Sequence, residues 1–187
     1  MAKKKNKAFP KTEQKKAASK DNRFLKAVLL FCLLAVSLNL AAFVLARGGH
    51  LHFLEVITAK AAGGASNLSG CAARINGNMI YLMNATWLVN RECTALAIML
   101  IYASFILSYP ASWKGKGAAL LAGIPFIFGA NVLRLLIMAW IDRLRPEFST
   151  YFHDYLWQVA FIIMIVFMWL FWINLLARYE NKTPVSA

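Results

Sequence analysis

The chain has 187 residues, of which 60% are hydrophobic, and a mean hydropathy of +0.54. A soluble domain of this length is not so apolar, so the composition indicates an integral membrane protein. The formal net charge of +13 resembles that of a nucleic-acid binder, but Lys3, Lys4, Lys5, Lys7, Lys11, Lys15, Lys16, Lys20, Arg23 and Lys26 crowd before or into the first apolar stretch, where basic residues mark a cytoplasmic flank.

Residues 1–23 are therefore read as a disordered cytoplasmic tail attracted to anionic lipid. Apart from Phe9 no aromatic interleaves with its lysines, so no nucleic-acid partner is expected. The first span is Phe24–Ala46, too long for a signal-peptide core and without a small-residue cleavage site. His50–Ala65 is weakly apolar, with Leu51, Leu54, Ile57 and Ala61 at helical spacing. It reads as a helix lying at the interface, broken by Gly63-Gly64 and then Gly70. The next stretch, "ARINGNMIYLMNATWLV", carries Asn76-Gly77, a strong hairpin signal, followed by β-favouring residues over Met79–Leu82.

The second span, Arg91–Tyr109, opens with "NRECTALAIML". Asn90 is a good N-cap, which makes Cys93 the third residue of the helix. The positive end of the helix dipole and Arg91 favour a thiolate there, and Glu92 opposes it. Lys114 and Lys116 precede the third span, Gly117–Ile141, which contains "GANVLRLLIMAWI". Arg134 lies inside the membrane, where a central arginine costs about 2.5–3.5 kcal/mol, so it is expected to face a polar cavity. Asn131 shares its face, and Pro125 is expected to interrupt the helix below them. In "RPEFSTYFHDYLWQ", Ser149 or Thr150 caps the fourth span, Tyr155–Ala177, and His153 stands at its opening beside Asp154. Residues 179–187 form a short tail.

With four spans, Lys114, Lys116, Arg178 and Lys182 fall on the side of the basic tail. Both termini are then cytoplasmic, and Cys71, Cys93 and His153 are extracytoplasmic. The expected fold is an all-α membrane domain over residues 24–178, with an outer interfacial helix and a small β-hairpin.

A thiol, an imidazole and a guanidinium thus converge at one end of three spans. Together they can support acyl transfer: a thiolate attacks a carbonyl, an imidazole moves protons and a cation steadies the oxyanion. On chemistry alone, a Cys71–Cys93 disulfide is an equal reading of Cys93, because disulfides form outside the cytoplasm. That reading makes the protein a non-catalytic assembly factor. A small transporter with Arg134 lining its path is a third. Cys32 is read as packing, and Phe161, Met164, Phe167, Met168 and Phe171 as lipid contact or helix packing. His50, His52 and Glu55 have metal-like spacing but no further clear ligand. No metal or cofactor is expected.

The hairpin followed by "NRECTALAIML", then "GIPFIFGANVLRLLIMAWI", then "FHDYLWQ", resembles the exosortase/archaeosortase family of multi-pass membrane cysteine transpeptidases. The likeness runs from Val56 to Ala177 and suggests a short form, similar to the exosortase H type. The resemblance implies that Cys93 is the nucleophile, Arg134 the transition-state cation and His153 the general acid/base, with Asn131 helping to position the arginine. It implies partners too: membrane-tethered secreted proteins with a tripartite C-terminal signal of the PEP-CTERM type, processed on the outer face of the plasma (inner) membrane. Many members of that family have more spans. Ala95 stands where the family pattern suggests glycine or another small residue.

Overall fold

The computed structural model describes residues 11–83, 85–144 and 156–180. The elements are α1 (Lys11–Arg47), α2 (His52–Leu68), β1 (Arg74–Asn76), β2 (Met79–Tyr81), β3 (Thr86–Leu88), a 3-10 turn (Arg91–Thr94), α3 (Leu96–Ser108), α4 (Trp113–Leu144) and α5 (Trp157–Glu180). The protein is mostly helical. Among the described residues, three segments are long and apolar enough to cross a membrane: Phe24–Arg47, Trp113–Leu144 and Trp157–Leu175.

The expected second span is the exception. Its α-helix, α3, has 13 residues, roughly 20 Å at 1.5 Å per residue, against a hydrocarbon core of about 30 Å. The residues expected to begin it form a separate 3-10 turn instead. The basic tail also differs from expectation, since α1 runs back to Lys11 without a break at Phe24. Its Lys, Glu, Gln and Ala residues are good helix formers.

Contacts along the bundle show α1 and α4 running in the direction opposite to α3 and α5. Phe31, in the first half of the apolar segment of α1, meets Phe105, late in α3, edge-on at 6.1 Å, and Phe43, late in α1, meets Arg91 just before α3. Tyr102 of α3 donates to the Ala119 carbonyl of α4 at 3.0 Å. Lys116 donates to the Leu107 carbonyl, at the negative end of α3. In α5, Phe161 lies near Arg134 and Trp172 near Tyr109. The Lys114/Lys116 end and the Cys93 end are therefore opposite ends of the bundle. The buried residues of α4, including Gly123, Ile127, Asn131, Arg134, Leu135, Met138 and Ala139, recur every three or four positions and form one inward stripe. The helix continues through Pro125.

Above the Cys93 end lies a cap of α2 and a three-stranded antiparallel sheet, ordered β1-β2-β3. The expected hairpin is present, with Asn76 opposite Met79 and Ile75 opposite Ile80. Gly77 takes the positive φ of +61° that this two-residue turn needs. The third strand was not expected. Its turn closes through Leu82 N–H donating to the Ala85 carbonyl at 2.8 Å, without glycine or proline to announce it.

Helix α2 does not break at Gly63-Gly64. It passes through both, because a side chain at Gly63 would collide with Ile75 of β1; the residue permits a close approach of helix to sheet. The buried face of α2 is Thr58, Ala59, Ala62, Gly63 and Ser66. The larger residues of the expected apolar face, Leu51, Leu54 and Ile57, remain half-buried or exposed.

Candidate functional site

Cys93 sits in the 3-10 turn between the sheet and α3. Asn90 caps this turn from an extended backbone, and both its carbonyl and its side-chain oxygen accept from the Cys93 N–H, at 3.0 and 3.2 Å. Thr94 closes the turn: its hydroxyl donates to the Arg91 carbonyl at 2.6 Å and accepts from the Leu96 N–H at 3.3 Å. The chain then reverses sense at Ala95, which takes a left-handed backbone with φ 56° and ψ 16°. For a residue with a Cβ this conformation costs on the order of 1–2 kcal/mol, which is the physical reason a glycine suits the position.

The capping expectation for Asn90 therefore holds locally, but the helix it caps is one 3-10 turn rather than a long span. The dipole behind Cys93 is correspondingly short, and its own N–H is already taken by Asn90. Cys93 is also less open than a residue at a water interface. It is 9% exposed and packs with Ala59, Ala62, Ile80, Val89 and Leu135, so α2, the sheet and α4 all wall it in.

Helix α4 brings Asn131 and Arg134 to this turn. Asn131 is fully buried, and its side-chain N–H donates to the Cys93 carbonyl at 2.6 Å. Among the described residues its hydrogen bond goes to the cysteine's own backbone, and none joins it to Arg134. The Asn131 Oδ1 acceptor and the Arg134 Nε donor are both buried without partners. Arg134 is 8% exposed, and its guanidinium carbon lies 5.9 Å from the centre of the Phe161 ring. It stands ten residues before the end of α4 at Leu144, about 15 Å of helix. A buried donor and acceptor left open beside a thiol form a polar site in an otherwise apolar interior.

His153 and Asp154 lie outside the described residues. Cys32, Cys71 and Cys93 are all free thiols, so no Cys71–Cys93 disulfide is formed. Cys71 lines a separate small cleft with Leu82, Met83, Ala139, Asp142 and Arg143. Arg143 ties that region together by donating to the Gly70 carbonyl at 2.9 Å. His52 pairs with Glu55 at 2.9 Å, and Glu55 also accepts from Asn78 at 3.2 Å. Among the described residues no three His, Cys, Asp or Glu side chains gather as metal ligands do.

Sequence reasoning nominated Cys93, Asn131 and Arg134, and the structure brings Asn131 onto the Cys93 carbonyl; the sequence reading did not anticipate the special backbone of Ala95 or the contact of Phe161 with Arg134. Alanine carries no mark of a left-handed turn. Phe161 was one of several aromatics at helical spacing on its span.

A buried thiol set between a membrane helix and an extramembrane cap, with an intramembrane guanidinium at hand, defines a multi-pass membrane protein with an enclosed polar site. The chain belongs to the family of transmembrane exosortases, whose pattern it matches over residues 19–174. It is also similar to a probable archaeosortase E from Methanocaldococcus jannaschii, with 23% identity over 117 residues. That match covers 61% of this chain and 61% of the relative, so the chain spans about three fifths of the relative's length. No solved structure matches it.

Proposed function

We propose that the protein is a membrane-embedded cysteine transpeptidase, or a protease when water is the acceptor, with Cys93 as nucleophile. The single observation that carries this reading is the buried hydrogen bond from Asn131 to the Cys93 carbonyl. It joins the Asn-x-x-Arg stretch of α4 to the cysteine turn, as a shared site requires. Family membership supplies the reaction class.

In this reading the Cys93 thiolate attacks the scissile carbonyl carbon and a C–S bond forms. Arg134 steadies the negative charge that develops on the carbonyl oxygen. As the C–N bond breaks, His153 gives a proton to the leaving amine, and the acyl group remains as a thioester. An incoming amine or water surrenders a proton to His153, attacks the thioester and returns the cysteine. The substrates are membrane-tethered secreted proteins with a tripartite C-terminal signal, presented on the extracytoplasmic side of the plasma (inner) membrane. The free state of all three thiols supports a nucleophile over a structural disulfide.

The test is co-expression with a reporter bearing such a signal, followed by mass spectrometry of the reporter's new C-terminus. A defined cleavage that disappears in Cys93→Ala is expected. Unchanged cleavage in that variant, at equal membrane abundance, rules out the thioester route.

A further inference from the structure

Away from the lysine-rich end, the described residues include the cations Arg47, Lys60, Arg74, Arg91, Arg134 and Arg143. Arg134 belongs to the Cys93 site, and Arg143 binds the Gly70 carbonyl. Arg47 and Arg91 come from elements far apart in sequence, yet both sit over one ring. Their guanidinium carbons lie 4.4 and 4.8 Å from the Phe43 centroid, hence within about 9 Å of each other.

Two like charges so close repel, more strongly beside a low-dielectric membrane than in water. Among the described residues, neither is in an ion pair with a carboxylate. The ion pair there is His52–Glu55, and Glu92, the neighbour of Arg91, makes none. Contact with a ring does not use up the N–H donors of a guanidinium, and among the described residues neither Arg47 nor Arg91 donates a side-chain hydrogen bond to the protein. The two arginines therefore form a pair of donor forks without an acceptor. A phosphodiester has two unesterified oxygens, enough to give one to each fork.

The surroundings favour a lipid as its source. Arg47 ends the apolar segment Phe24–Arg47, at the level where hydrocarbon gives way to headgroups. Beneath it on α1, Val36, Leu40 and Val44 follow one another at single-turn spacing, each more than half exposed. This stripe leads an acyl chain up to the two guanidiniums.

We propose that Arg47 and Arg91, held on Phe43, bind the phosphate of an anionic phospholipid whose acyl chain lies along Val36, Leu40 and Val44. This site is separate from the chemistry of Cys93 and stands whether or not that reading holds. A free phosphate ion lacks the chain, and phosphatidylcholine neutralises its own phosphate with a quaternary ammonium.

The full chain in detergent is titrated with phosphatidylglycerol, phosphatidylcholine or inorganic phosphate, and bound species are counted by native mass spectrometry. Phosphatidylglycerol should bind tightest. Arg47→Gln and Arg91→Gln should each weaken it about fivefold, as loss of one interfacial cation does. Lys60→Gln, an exposed cation on α2, should leave it unchanged. Thermal unfolding without lipid checks that each single variant is folded. Equal affinity in wild type and both arginine variants overturns the proposal, as does an equal loss in Lys60→Gln. Inorganic phosphate binding as tightly as the lipid also overturns it, leaving a free-anion site only.

Discussion

The two halves of the bundle handle polar groups in opposite ways. In the half nearer Lys116, Phe105 stacks on Trp169 at 4.3 Å, and Phe31, Tyr109 and Trp172 close around them. The side-chain hydroxyls of Tyr102, Ser104 and Ser108 all find backbone carbonyls there, and so does the Lys116 ammonium. The Trp169 N–H is the exception. In the half nearer Cys93, aromatic packing gives way to small residues, a strained turn, and a buried amide and guanidinium that each keep an open atom. Buried polar groups without partners cost free energy, so this half gives up stability that the aromatic half keeps, as the proposed site at Cys93 would require.

Changes in the two halves should therefore separate activity from stability. The largest effect is expected at the thiol. Cys93→Ala and Cys93→Ser should both abolish reporter processing, because neither supplies a thiolate. Cys93 is part of the buried cluster, so the alanine variant should also lose on the order of 1 kcal/mol of stability, and the near-isosteric serine is the cleaner comparison. Arg134→Lys keeps a charge but lacks the planar fork. Processing should fall about 10²–10³-fold, the usual cost of losing one oxyanion donor. Full activity in that variant would show that charge alone suffices.

Asn131→Leu keeps the approximate size of the side chain and removes the donor to the Cys93 carbonyl. Leaving that buried acceptor open costs about 1–3 kcal/mol, which should appear as a roughly 10–100-fold loss of processing if the turn is displaced in the active form. Measuring the rate of Cys93 alkylation across pH separates a displaced turn, which changes the profile, from a mere loss of folded protein, which changes only its amplitude.

In the aromatic half the order should reverse. A side chain at Gly123 runs into the Tyr102 ring. Gly123→Val should therefore lower thermal stability by about 1–3 kcal/mol, with processing per folded molecule nearly unchanged. Equal losses of activity and stability at Gly123 and Asn131 would erase the contrast between the halves. The smallest effect is expected at Ala95. Ala95→Gly relieves the left-handed backbone but loosens the unfolded chain, so a net stabilisation of about 0.5–1 kcal/mol should appear in a thermal melt.

Composition and hydropathy were enough to indicate a membrane protein, the Asn76-Gly77 pair to indicate the hairpin, and the polar residues within or at the ends of apolar stretches to nominate Cys93, Asn131 and Arg134 as candidates. These signals are local, or depend only on length and hydropathy, and the chain expresses them before it folds. His153 was nominated in the same way and lies outside the described residues. Tertiary structure alone decided the rest. Gly63 reads as a helix breaker until Ile75 is seen pressed against it. Ala95 has no local preference for a left-handed turn. It adopts one where the chain passes from the Asn90-capped turn into α3, with Asn131 of α4 holding the Cys93 carbonyl just before it. That hydrogen bond joins residues 38 positions apart, and no local pattern encodes which carbonyl a buried amide will choose. The choice follows from burial: an amide closed off from water must take the acceptor that packing brings to it.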